Sequence, residues 1–89
     1  MDKADLLPTT RALGAVVRRR RQELGLSQSK LAQEAGVDPK HLQTIEAGIR
    51  PVDGANNPTL LSLMKLSEVF GIEVSTLLLE TEAERRSRP

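Results

Sequence analysis

The sequence predicts an all-α fold, a compact bundle of five short helices, from three observations. Apolar residues recur at three- and four-residue spacing from Thr10 onward, which is the signature of helices with one buried face. No segment alternates apolar and polar residues with period two, so no half-buried strand is expected. Glycine, or a capping residue beside proline, punctuates the periodic stretches where helices stop and start.

Taken in order, residues 1–9 lack periodicity and contain Pro8, so they are expected to form a flexible arm. Leu13, Val16, Val17 and Leu24 define a first helix that Thr9 or Thr10 can cap and Gly25 can end. Ser27 then caps a helix over residues 28–35 with Leu31, Ala32 and Ala35 as its apolar stripe and Gly36 as its stop. Asp38 caps a third helix over residues 39–47, with Pro39 in the first position, where its missing N–H costs nothing. Leu42 and Ile45 point inward from it, and Gly48 closes it. Residues 49–57 have the turn composition of an exposed loop. Asn57 and Pro58 open a fourth helix with Leu60, Leu63, Leu66 and Phe70 on one face. Ser75 can cap a fifth, built on Leu77 and Leu78, that frays into a charged tail at 80–89. The folded domain is thus expected over residues 10–79.

Eighty-nine residues make one small domain, whose core alone supplies only a few kcal/mol of net stability. With no cysteine and one histidine, neither disulfides nor an ordinary zinc site can reinforce it. A second subunit is the remaining reinforcement, so a homodimer is expected. No apolar run exceeds three residues, which excludes a membrane span and a signal peptide and gives a cytoplasmic expectation. Net charge is +1, but residues 11–50 hold eight Lys or Arg against four acids, while residues 51–89 hold four against six. The positive field therefore sits on the second and third helices and their flanks, which suits a polyanionic partner.

The turn between residues 36 and 38 is so short that the second and third helices must cross steeply and pack Leu31 and Ala35 against Leu42 and Ile45. The third helix then projects Lys40, Gln43, Thr44 and Ala47, an i, i+3, i+4, i+7 set. A cation, an amide, a hydroxyl with a methyl and a small apolar group are the types that read base edges in a major groove. Any helical hairpin needs polar residues outside, so this face alone leaves both readings open.

Further residues decide between them. R-x-x-L-G-L-S-Q at 21–28, L-A at 31–32, G-V at 36–37, I-E-x-G at 45–48, N-P-T-L at 57–60 and F-G-I at 70–72 form an ordered series. That series resembles the helix-turn-helix of the phage repressor and Cro family, the XRE-type regulators, across about residues 11–79. The resemblance implies that Gln28 bonds a DNA phosphate and that Lys40 and Thr44 read bases, with Gln43 beside them. Pro39 falls at a position that often reads a base and can offer apolar contact only. Arg21 and Glu46 fall where the family often has an ion pair, and Arg50 lies in a loop that commonly touches the DNA backbone. Ser27, Lys30 and His41, close to the two helix starts, complete the expected phosphate contacts.

The run at residues 18–21 covers all sides of one helical turn, so its four arginines cannot share a role. It is read as a solvated face with one structural ion pair, Arg21 to Glu46, with one or two of the others left free to approach the DNA backbone. His41 has no second ligand or nucleophile at suitable spacing, and no P-loop, paired catalytic acids or cofactor motif occurs, so no cofactor, metal or enzymatic activity is expected. Leu61, Leu78 and Leu79 exceed what the inner faces of the last two helices need and are expected at a dimer seam. The function expected is a sequence-specific regulator of transcription on double-stranded DNA, a repressor or autoregulator acting as a homodimer on an inverted-repeat operator. Alternatives are an antitoxin with a toxin as partner protein, a restriction-modification controller, and a protein-interaction module that does not bind DNA.

Overall fold

In the computed structural model, which describes residues 6–48 and 57–88, five α-helices follow one another. They are α1 (Leu7–Glu23), α2 (Gln28–Ala35), α3 (Pro39–Ala47), α4 (Leu60–Phe70) and α5 (Val74–Ser87). No strand occurs among the described residues. Helix α1 packs on α5 and α3, α2 packs on α3 and α4, and α4 closes against α5. Every helix contributes to one apolar core. Leu13, Val16 and Val17 meet Leu31, Leu42, Ile45, Leu66, Phe70 and Leu77 there.

Three helix starts and one helix end differ from the sequence expectation. Helix α1 begins at Leu7, so residues 7–9 belong to it and not to an arm; residues 1–5 lie outside the described residues. Pro8 stands in the first turn, where no N–H is required. Thr10 is inside the helix, its hydroxyl donating to the Leu7 carbonyl at 3.0 Å, and is not a cap. Helix α4 is capped by Thr59, which trades hydrogen bonds with Ser62 in both directions, so it starts after Asn57 and Pro58. Helix α5 starts at Val74, with Glu73 at the cap position making no side-chain cap, Ser75 lies inside it, and residues 80–87 continue it where a frayed tail was expected.

The reason for that continuation is ionic. From α5, Glu80 accepts from Arg20 (Nε at 2.8 Å, with Nη2 also bonded) and Glu84 accepts from Arg19 at 3.0 Å. Along the helix itself, Arg85 pairs with Glu82 at 2.7 Å and Arg88 with Glu84 at 3.1 Å. The second half of α5 is therefore clasped to α1 by charge. The arginine run is not a merely solvated face: all four of its members stand in ion pairs.

Two leucines assigned to inner faces are outside. Leu24 follows the end of α1 and is 50% exposed, while Leu26 takes its place against the core. Leu60 is the first residue of α4 and 62% exposed, because helical side chains lean toward the N-terminus and it has no preceding turn to cover. Leu78 is exposed beside the fully buried Leu77.

Candidate nucleic-acid interface

The α2–turn–α3 unit is fixed by local chemistry. Ser27 Oγ accepts the Lys30 N–H at 3.0 Å, satisfying a donor that the helix start leaves unpaired. At the other end Gly36 adopts φ +72°, a left-handed conformation that lets its own N–H and that of Val37 both return to the Ala32 carbonyl. Asp38 Oδ1 then accepts the Lys40 N–H at 2.9 Å, and Pro39 opens α3. From α4, the Lys65 ammonium reaches the Gly36 carbonyl at 3.3 Å and ties the turn to the next helix. Leu42 and Ile45 anchor α3 in the core.

The C-terminal half of α3 is seated on α1. A Cβ on Gly14 would lie 2.6 Å from the Ile45 carbonyl oxygen and 2.7 Å from that of Glu46, so only glycine admits the approach. Gly14 was not singled out from the sequence. Its signal was there, since a glycine inside a helical pattern costs about 1 kcal/mol and usually marks a close contact.

Beside this contact the structure brings Arg21, Glu46, Gln28 and Arg18 together. The Glu46 side chain is fully buried. It accepts from Arg21 Nε at 2.7 Å, from Arg21 Nη2 at 3.0 Å and from Gln28 Nε2 at 3.0 Å. Arg21 also donates to the Leu26 carbonyl at 2.8 Å, which fixes the α1–α2 connection. The carboxylate hydrogen-bonded to it raises the Arg21 pKa, outweighing the burial that opposes charge. Arg18 Nε stands 3.7 Å from Glu46 Oε1. One carboxylate thus joins α1, α2 and α3.

The outer face of α3 holds Lys40, Gln43 and Ala47 exposed, with Thr44 half-buried among them. The Thr44 hydroxyl donates to the Lys40 carbonyl at 3.1 Å, which leaves its methyl group and its oxygen lone pairs for a partner. Pro39 is exposed at the head of the same helix, Ser27 and Lys30 are exposed at the head of α2, and His41 is half-buried. Arg50 lies outside the described residues. Leu61, Leu78 and Leu79 lie at the surface, 60%, 42% and 69% exposed. Among the described residues, no group of three or more His, Cys, Asp or Glu is placed to hold a metal, and no helix is long and apolar enough to cross a membrane.

Two helices joined by a three-residue turn, the second buried on one side and polar on the other, define a helix-turn-helix protein. The chain belongs to the family described as Helix-turn-helix, whose model matches residues 17–77. It is 36% identical over 63 residues to the HTH-type transcriptional regulator RamB of Mycobacterium tuberculosis, covering 71% of this chain and 12% of that protein. With the HTH-type transcriptional regulator SinR of Bacillus licheniformis it shares 36% identity over 70 residues, 79% of this chain and 59% of that one. The chain therefore spans little more than half of SinR and a small part of RamB. Among solved structures, the clp gene regulator ClgR of Corynebacterium glutamicum superposes with a TM-score of 0.71 at 26% identity, over 88% of this chain and 77% of its own. SinR, the master regulator for biofilm formation, solved in complex with DNA, superposes with a TM-score of 0.61 at 36% identity, over 74% of this chain and 97% of that one. The family and fold are those of transcriptional regulators, not of enzymes.

Proposed function

We propose that the chain is a sequence-specific, double-stranded DNA-binding regulator of transcription, a repressor or autoregulator working in the cytoplasm without a cofactor. The observation that carries this reading is the outer face of α3, where Lys40, Gln43, Thr44 and Ala47 project from a helix whose inner residues are locked into the core. Lys40 suits guanine O6 and N7, Gln43 suits adenine N6 and N7, and the Thr44 methyl suits the thymine methyl. Ser27, Gln28 and Lys30 at the head of α2, with His41 and Arg50, contact phosphates and set the register, and Pro39 adds apolar contact. The SinR structure with DNA supports the same use of the same fold.

One α3 helix reads only a few base pairs. A two-fold dimer presents two such helices about 34–36 Å apart to an inverted repeat. Leu61, Leu78 and Leu79 are the exposed apolar residues we assign to that contact, and Leu78 also lines a cleft of about 390 Å³ whose walls include Leu6 and Pro58. A partner protein such as a toxin on this face is the second reading, favoured by the solved complex of SinR with SinI.

The test is selection of bound sites from a random duplex library, followed by a salt titration on the winning site. The expected result is an inverted-repeat consensus whose affinity falls steeply between about 50 and 200 mM salt. Affinity independent of both sequence and salt would remove DNA as the partner.

A further inference from the structure

Three side chains cover the buried Glu46 carboxylate, and Arg18 is the one that the carboxylate does not need. Arg21 neutralises it with two hydrogen bonds and Gln28 adds a third. Arg18 stands 3.7 Å away and reaches the Glu46 backbone carbonyl only at 3.5 Å. Its side chain is 53% exposed against 13% for Arg21. Two guanidinium groups converge on one carboxylate, so one positive charge is left over at the surface. It is left over at a particular place, because Arg18 Nε and Gln28 Nε2 face the same Oε1 atom.

We infer that Arg18 is a DNA-backbone contact that grips a phosphate together with Gln28. The inference rests on the DNA-binding reading above and adds to it a residue from α1. The chemistry is available on both sides. A glutamine amide has two N–H donors, and here one of them is committed to Glu46. A guanidinium has five, so Arg18 can keep its contact with the Glu46 carbonyl and still present others to a phosphate oxygen. Glu46 then acts as a positioning residue. By holding the Gln28 amide and attracting Arg18 to the same oxygen, it presents an uncompensated cation beside a prepared donor. A purely structural role is the competing account, in which Arg18 only satisfies a carbonyl in the last turn of α3.

The two accounts separate in their salt dependence. The full chain is titrated with its selected duplex and with an unrelated duplex over a salt series, and each variant is melted in parallel. Arg18→Gln is expected to weaken both duplexes by the same factor, about eightfold per bound subunit at 0.1 M salt, and to shallow the slope of log affinity against log salt by about 0.9 per bound subunit. Its melting temperature is expected to stay close to that of the wild type, and Arg18→Lys is expected to keep the slope. A slope unchanged in Arg18→Gln, or a loss confined to the selected duplex, would overturn the assignment while leaving the DNA-binding reading intact. A wild type with no salt dependence would overturn both.

Discussion

On the proposed reading, Lys40 and Arg21 divide the labour of this domain between reading and holding. Lys40 is exposed on the outer face of α3 and its loss leaves the core intact. Lys40→Ala should cost about 1–3 kcal/mol on the selected site and relax preference at one base pair. Gln28→Ala should weaken all sequences alike, because phosphate contacts carry no sequence information directly. Equal losses on specific and unrelated duplexes for Lys40→Ala would show that it is not a base reader. Arg21 stands at the other extreme. Removing it strands a fully buried carboxylate, and breaking one side of a buried pair costs about 3–5 kcal/mol. Arg21→Ala should therefore lower the melting temperature strongly. Arg18→Ala, at the same carboxylate, should hardly move it. Equal melting losses for the two would refute the division drawn here.

At the scale of elements, the helix-turn-helix was legible because its determinants are local. Ser27, Gly36 and Asp38 each act within four residues of themselves, through one side-chain cap or one left-handed turn. Helix α5 was legible only in its first half. Its second half is held by Arg19 and Arg20, sixty or more residues away in the chain, and no local rule reports such partners. The i, i+4 spacing of Glu80, Glu84 and Arg88 was the one available sign that the helix continues. Leu24 and Leu60 were misplaced for a related reason: periodicity gives a face but not where the core ends. The clasp also makes α5 sensitive to acid. Arg20 holds the Glu80 carboxyl below its ordinary value of 4.5, and Arg19 with Arg88 does the same for Glu84. Carboxyls depressed in the folded state stabilise it fully above their unfolded values, and that stability is lost as pH falls through the lowered ones. Helix content should therefore decline below about pH 4.5, with α5 opening first. Glu80→Gln should already be less stable at neutral pH and lose less on acidification. A parallel decline in both proteins would mean that the clasp contributes nothing.

For the whole molecule, the question is what covers the exposed leucines. Leu61, Leu78 and Leu79 were singled out from the sequence as surplus to the core, and all three lie at the surface. Burying them against a second copy would be worth about 25 cal/mol per Å², in a domain whose own core is small. Leu78→Lys or Leu79→Lys should give a monomer with shallower cooperativity on an inverted repeat. Sedimentation of the wild type as a monomer at micromolar concentration, both free and on DNA, would rule the dimer out.

The seat of α3 has a consequence for how such a molecule changes partners. Gly14 clamps the carbonyls of Ile45 and Glu46, and Leu42 and Ile45 fill the core, so α3 is gripped from behind and along its far end. Positions 40, 43 and 47 bear none of that load. The side chains proposed to choose an operator can therefore drift while those that keep the fold stand still. New addresses become accessible one substitution at a time, with no unfolded intermediate to cross. A library randomised at 40, 43 and 47 should melt within about 0.5 kcal/mol of the parent in most members, Gly and Pro excepted, while its members scatter over unrelated duplex sequences.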